Sequence, residues 1–197
     1  ISGNVAQGDE VGFGGGGFVV NDYYGVTAFV DSVVRGNQGI GTYGGIAGGF
    51  GAKYSNAAVT IERSTISGNS ASASDPGGPG IAGGILSVVP RLIVSSSTIS
   101  GNEASAIAGG IFAGTASLVN TTVSGNSASV YGGALLLAPQ GQGQDESVLS
   151  NSTITGNRAG TGAGVMLGEG EVLLNSSIVF GNINTDPSVP PAYALEA

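Results

Sequence analysis

Ser97-Thr98-Ile99-Ser100-Gly101-Asn102, followed by Gly109-Gly110-Ile111-Phe112, is the stretch whose reading decides the fold. The phrase returns as Ser64-Thr65-Ile66-Ser67-Gly68-Asn69, Thr121-Thr122-Val123-Ser124-Gly125-Asn126 and Ser152-Thr153-Ile154-Thr155-Gly156-Asn157. Weaker copies end at Asn4, Asn37 and Asn182. A Gly-Gly before apolar residues also returns, at Gly83-Gly84-Ile85-Leu86 and Gly132-Gly133-Ala134-Leu135. A phrase recurring every few dozen residues is the mark of stacked repeats, in which each unit buries its apolar side against its neighbours.

Successive phrase-ending Asn residues lie 33, 32, 33, 24, 31 and 25 positions apart. The shortest interval marks one bare coil, and the longer ones add insertions of about seven to nine residues at corners. Those insertions have loop chemistry, as in Asp75-Pro76-Gly77-Gly78-Pro79-Gly80 and Pro139-Gln140-Gly141-Gln142-Gly143-Gln144. Three short strands per coil are expected. One is Val59-Thr60-Ile61, Leu92-Ile93-Val94 or Ser117-Leu118-Val119; the second is the Ser-Thr-Ile-Ser phrase; Gly-Gly-Ile-Leu begins the third. Stacking then places Ile66, Ile99, Val123, Ile154 and Ile178 in one inward column. The Gly residues allow sharp turns, with positive φ where needed. Asn37, Asn69, Asn102, Asn126, Asn157 and Asn182 either stack as an amide ladder inside the turn or sit left-handed at its surface. In both readings they are structural. The fold expected is all-β, a single-stranded right-handed parallel β-helix of about six to seven coils. Residues 1–182 form the helix, with aromatic-rich, irregular coils over 1–54 and regular repeats over 55–182. Residues 183–197 are a Pro-containing tail, since Pro cannot donate to a ladder.

Composition narrows the function. The 197 residues carry a net charge of −8, and only five are basic: Arg35, Lys53, Arg63, Arg91 and Arg158, scattered singly. Without a basic stripe, nucleic acid and anionic membrane surfaces are excluded as partners. There is no cysteine and no histidine, which removes disulfides, thiol chemistry, the commonest general base and the usual zinc ligands. No apolar stretch approaches the roughly 18 residues of a membrane helix. The chain opens on Ile1, shows no signal peptide and has Met166 as its single Met, which reads as a processed or excised segment.

The motif pair resembles the polymorphic outer-membrane protein repeat of right-handed parallel β-helices. In that family an aromatic or aliphatic residue, two variable residues and Asn are followed closely by Gly-Gly-Ala/Ile-Ile/Leu/Val. Val123-Ser124-Gly125-Asn126 with Gly132-Gly133-Ala134-Leu135 fits this pattern, as do Ile99 to Asn102 with Gly109-Gly110-Ile111 and Ile66 to Asn69 with Gly83-Gly84-Ile85. Ser176-Ser177-Ile178-Val179-Phe180-Gly181-Asn182 looks like the variant that closes such arrays. The resemblance covers roughly Val59 to Asn182. It implies export and an extracellular or cell-surface role, as in adhesins, autotransporter passengers and some carbohydrate-active enzymes.

Carboxylate pairs were weighed for glycoside chemistry, which needs two carboxyls at a defined separation across one cleft. Glu169 and Glu171 would share a strand face near Arg158. Asp145-Glu146 and Asp9-Glu10 read as loops, and Glu62-Arg63 as a solvent-facing pair at a strand end. No convergence is visible, so no catalytic residue, cofactor or metal is assigned. Gly16-Gly17-Phe18-Val19-Val20-Asn21-Asp22 and Gly48-Gly49-Phe50-Gly51 lack the Asp placement of calcium-binding nonapeptides. Asn120-Thr121-Thr122, Asn151-Ser152-Thr153 and Asn175-Ser176-Ser177 match glycosylation acceptors as a by-product of the repeat.

Two surface features remain. Thr65 and Ser67, Thr98 and Ser100, Thr122 and Ser124, and Thr153 and Thr155 flank inward aliphatics, so stacking would align them as two outward hydroxyl rows. Such rows are similar to the Thr-x-Thr lattice of repeat antifreeze proteins; their plainer reading is cross-coil hydrogen bonding. Eight of twelve aromatics precede Ser55, among them Phe13, Phe18, Tyr23 and Tyr24, as a cap on the first coil or a contact surface. Ile1-Ser2-Gly3-Asn4 is half a phrase, which a neighbouring chain could complete. The expected function is therefore a non-catalytic structural or adhesive surface protein, self-associating through coil ends into a homo-oligomer or filament, with a carbohydrate or cell-surface ligand. The alternatives are a polysaccharide-active enzyme or carbohydrate-binding β-helix, and an ice- or lattice-binding protein.

Overall fold

A computed structural model describes residues 1–8, 16–20, 27–41, 47–53, 58–74, 78–88, 91–139, 146–168, 170–186 and 194–195. The chain is all-β among these residues and winds into a parallel β-helix whose strands fall into four sheets. The leading sheet holds Thr27–Val30, Val59–Glu62, Leu92–Ser95, Ala116–Val119, Glu146–Ser150 and Glu171–Asn175. The phrase sheet holds Val33–Arg35, Thr65–Ser67, Thr98–Ser100, Thr122–Ser124, Thr153–Thr155 and Ile178–Phe180. The trailing sheet, immediately after the ladder Asn, runs from Val5–Gly8 through Gln38–Gly41, Ser70–Ala73, Glu103–Ala104, Ser127–Ala128 and Arg158–Ala159 to Ile183–Asn184. The Gly-Gly sheet holds Phe18–Val20, Phe50–Lys53, Ile85–Val88, Ile111–Ala113, Leu135–Leu137 and Val165–Leu167.

Each turn thus has four strands rather than the three expected. The trailing strands are short, and their inward residues are small: Ala71, Ala104, Ala128 and Ala159 are buried where an aliphatic would otherwise stand. Gly80 explains the small size in one coil, because a Cβ there would lie 2.2 Å from Ala71 O. Chain segments cross too closely at this wall for a large side chain.

The core is a set of columns. In the phrase sheet, Val34, Ile66, Ile99, Val123, Ile154 and Val179 pair in unbroken register. The expected last member, Ile178, instead pairs with Thr153 and points outward, 59% exposed. The Gly-Asn corner fixes the register, so the inward residue is always the third before Asn, which is Val179 in the last copy. Burying each aliphatic is worth about 1.5–3 kcal/mol, so stability rests on repetition. Phe18 packs edge-on to Phe29, with centroids 5.1 Å apart, and both meet Phe50, closing the N-terminal end of the bore. Thr27–Lys53 supplies strands to all four sheets in the same register as later coils. Past Asn184, Ala194–Leu195 returns antiparallel to Val165–Met166, so the tail contributes a strand against the Gly-Gly sheet.

Candidate functional site

Two corners fix the wall on which the candidate site lies. At the corner after the phrase, Gly36, Gly68, Gly101, Gly125, Gly156 and Gly181 adopt φ between 60° and 67°, and a Cβ on any of them would meet no atom closer than 3.6 Å. The following Asn turns inward and forms an amide ladder. Asn69 N–H and Nδ2 both donate to Asn102 Oδ1, at 3.0 and 2.9 Å. The same pair of bonds joins Asn102 to Asn126, Asn126 to Asn157 and Asn157 to Asn182. Nδ2 also reaches back to the preceding coil, as in Asn102 to Ile66 O at 3.0 Å. Asn37, Asn69, Asn102, Asn126 and Asn157 are at most 1% exposed, yet their carboxamides are bonded.

The corner before the phrase is built the same way from different residues. Asp31, Arg63, Ser96, Asn120, Asn151 and Ser176 all have φ of 46–50°, and the next residue carries a hydroxyl. Ser64 N–H donates to Ser97 Oγ and Thr121 N–H to Ser152 Oγ, while Ser64, Ser97, Thr121 and Ser152 hydroxyls donate to the carbonyl two residues back. The sequence reading gave the leading Ser or Thr of each phrase no role of its own and so missed this second ladder. Its signal was the invariable Ser or Thr just before the outward Thr.

Gly83-Gly84 and Gly109-Gly110 serve close approach without positive φ, whereas Gly132 does adopt a positive φ of 70°. A Cβ on Gly109 would lie 2.4–2.5 Å from the Ser127 backbone, and one on Gly110 would lie 2.5 Å from Ala134 O and 3.2 Å from the Asn126 carboxamide. Register shows that Leu135 stacks on Ile111, so Gly133 and Ala134, not Gly132 and Gly133, stand at these two positions in the next coil.

Between the corners lies the wall. Thr65, Thr98, Thr122 and Thr153 pair in one row, and Ser67, Ser100, Ser124 and Thr155 in a second. Neighbours along a row are about 4.8 Å apart, and the rows are two residues, about 6–7 Å, apart. All eight are half-exposed. Among the described residues, none of their hydroxyls makes a hydrogen bond within the chain, whereas the corner hydroxyls beside them do. The expected cross-coil bonding of the rows is therefore not made. Val33 and Arg35 bound the wall at one end, and exposed Ile178 and Phe180 at the other.

The carboxylates are not gathered into a site. Glu171 pairs in register with Glu146, which starts a strand rather than lying in a loop, and both are exposed. Arg158 lies in the trailing sheet, away from Glu171 in the leading sheet. Half-buried Glu62 and exposed Arg63 stand at the corner before the phrase, where Arg63 Nε and Nη2 grip Asp31 at 2.7 and 3.0 Å and Nη1 reaches Glu62. That hydrogen bond holds the Asp31 carboxyl below its ordinary range and raises the guanidinium. Among the described residues, no three His, Cys, Asp or Glu stand close enough to hold a metal, and no helix is long and apolar enough to cross a membrane. A shallow groove beside Ser2, Gly3, Arg35, Gly36, Ser67 and Gly68 follows the glycine corner.

Of the candidate contact residues, Ile1 is 51% and Phe18 39% exposed. Phe13, Tyr23, Tyr24, Asp9, Glu10, Asp145 and Glu169 lie outside the described residues. No family model matches the chain, and no curated protein or solved structure matches it either.

Proposed function

We propose that this chain is a non-catalytic structural and adhesive element, exported to a cell surface or the extracellular space, with the phrase sheet as its adhesive wall. One observation carries the reading: eight half-buried hydroxyls in two rows, none engaged by another group among the described residues. Buried hydroxyls find partners inside a protein, and exposed ones in register can offer the same spacing to something outside. An uncharged lattice of this kind suits a ligand that repeats and carries hydroxyls itself, such as a polysaccharide layer. The resemblance to surface β-helix repeats supports export.

The test is pull-down on insoluble polysaccharides and whole cell-wall material. Thr98→Lys with Thr122→Lys projects two charges from the centre of the wall and should reduce retention about tenfold, with an unchanged circular dichroism spectrum. Equal retention of wild type and double variant would remove the wall from the account. Release of soluble sugar from the same panel, lost on replacing Glu146 and Glu171 with Gln, would instead favour a polysaccharide-active enzyme. The rows also favour a second reading, an ice- or lattice-binding surface, which an ice recrystallisation assay on the same two proteins separates.

A further inference from the structure

We propose that this chain pairs with a second copy of itself through the phrase sheet, the two walls facing each other with their helix axes antiparallel. The outward rows, read along the axis, lead there. One runs Val33, Thr65, Thr98, Thr122, Thr153, Ile178, and the other Arg35, Ser67, Ser100, Ser124, Thr155, Phe180. A two-fold axis parallel to the strands, midway between the Thr98 and Thr122 coils, sets each row against its own reverse. Val33 of one copy then meets Ile178 of the other, Arg35 meets Phe180, and four coils of Ser or Thr meet Ser or Thr. The same two contacts recur at both ends of the interface, which is the self-complementarity that an isologous pair requires. An aliphatic pair closes one row, and a guanidinium over an aromatic ring closes the other. All four of these side chains point out of the wall by register, so a further coil stacked on either side would leave them on this face. The Arg35 guanidinium has no partner among the described residues.

Spacing, hydrogen-bonding chemistry and charge all suit a second copy. Backbone hydrogen bonds set the repeat of both walls at about 4.8 Å, so facing rows stay in step along the whole wall. A hydroxyl both donates and accepts, so Ser and Thr can face Ser and Thr, as identical short side chains do where stacked strands meet. The chain carries a net charge of −8, yet no carboxylate stands on the outward rows of the phrase sheet, and two copies meet there without setting carboxylate against carboxylate. The flanking corners agree. The glycines of the corner after the phrase hold nothing that would keep the sheets apart. At the corner before it, the reversal sets Asp31 opposite Ser176 and Arg63 opposite Asn151, with no like charges facing. Pairing covers the wall assigned above to adhesion, so a polysaccharide and a second copy compete for it. The two readings share the unengaged rows, but the pair needs no polysaccharide.

The experiment is sedimentation velocity over a hundredfold concentration range. Wild type should give monomer and dimer only, because a two-fold contact closes on itself. Phe180→Arg sets arginine against Arg35 at both ends of the interface and should raise the dimer dissociation constant about tenfold or more, with an unchanged circular dichroism spectrum. Adding Arg35→Glu to the same chain should bring the constant back to within about threefold of wild type, because glutamate then faces arginine across the interface. Positions 35 and 180 lie five strand spacings, about 24 Å, apart within one copy, so no contact inside a chain can account for that recovery. A protein that stays monomeric, a Phe180→Arg variant that pairs like wild type, no recovery in the double variant, or species that grow beyond a dimer would each overturn the proposal. Retention on polysaccharide reports separately on the adhesive wall. A monomeric protein whose retention still falls with Thr98→Lys and Thr122→Lys keeps the wall and loses the pair.

Discussion

Truncating one rung of the amide ladder, Asn126→Ala, is the most direct probe of what keeps the coils in register. Asn102 N–H loses its acceptor at 3.0 Å and is left buried without a partner. Asn102 Nδ2 loses a second bond but keeps Ile66 O, and Asn157 Oδ1 keeps the Asn126 N–H while losing Nδ2. The Ile99 carbonyl also loses the Asn126 Nδ2 donor. A buried unsatisfied donor costs about 1–3 kcal/mol and each of the three other lost bonds about 0.5–1.5, so the variant should lose about 2.5–7.5 kcal/mol. For a chain of this size that lowers the melting temperature by about 5–30 °C. Guanidinium and thermal unfolding followed by circular dichroism read both quantities. Asn126→Asp sharpens the test, because it keeps the shape and the accepting Oδ1 but places a second oxygen against Ile99 O and Asn157 Oδ1, which accept from Nδ2 at 3.0 and 2.9 Å. Burial and these acceptors raise the carboxyl's folded value above its unfolded one. The penalty should then be small below about pH 4, where both states are protonated, and grow as the pH rises toward the folded value. A loss below about 1 kcal/mol in the alanine variant, or a pH-independent gap in the aspartate variant, would refute the ladder's role.

Other substitutions separate the remaining forces. Ser87 is fully buried between Ala52 and Ala113, and its Oγ has no partner among the described residues, so Ser87→Ala should stabilise by about 1 kcal/mol; a lower melting temperature would contradict this. Gly109→Ala forces a methyl against the Ser127 backbone and should cost more than Gly125→Ala, which meets only Gly101 N at an ordinary 3.9 Å and is strained only by its φ of 62°. Asn at position 125 should recover part of that loss, because Asn visits the left-handed region, while Asn at 109 should not; equal behaviour at the two sites would sink the distinction. Because Arg63 lowers the Asp31 carboxyl, the pair adds stability above the ordinary aspartate range and loses it as the pH falls through the lowered value. Asp31→Asn should flatten acid unfolding in that window by a small, salt-sensitive amount, since both groups are exposed.

The repeat, the inward columns and the ladder Asn residues were legible in the sequence because they recur at one offset from Gly-Asn. The fourth strand was not. Ser70–Ala73 and its equivalents are short, with one buried alanine each, and offer neither β-branched enrichment nor a useful alternation. Ile178 was misplaced because composition drew the eye to the isoleucine, while the corner geometry counts back from Asn182. The Gly-Gly pairs were visible as a motif, but their reason lies in neighbouring coils, whose backbone and amide ladder pass within 2.4–3.2 Å of the absent Cβ atoms. A contact between residues two dozen positions apart leaves no local trace.

The candidate wall was visible as a pattern, and its meaning depends on a contrast that only the structure supplies. Two kinds of hydroxyl alternate with the inward aliphatic along each phrase. The corner ones, Ser64, Ser97, Thr121 and Ser152, are at most 5% exposed and bonded, so the backbone requires them. The wall ones are half-buried and bond to nothing among the described residues, so the ladders and columns hold register without them. A β-strand surface tolerates lysine, glutamate or glutamine at such positions, and charges of mixed sign would serve solubility as well. Yet from Thr65 to Thr155 every outward position of this sheet is Ser or Thr, while the trailing sheet's outward row mixes Gln38, Ser70, Glu103, Ser127 and Arg158. The coil geometry is common to both sheets, so it does not account for the difference. The adhesive wall proposed above would account for it, since it calls for short, neutral, hydrogen-bonding groups at a fixed repeat on the phrase face alone.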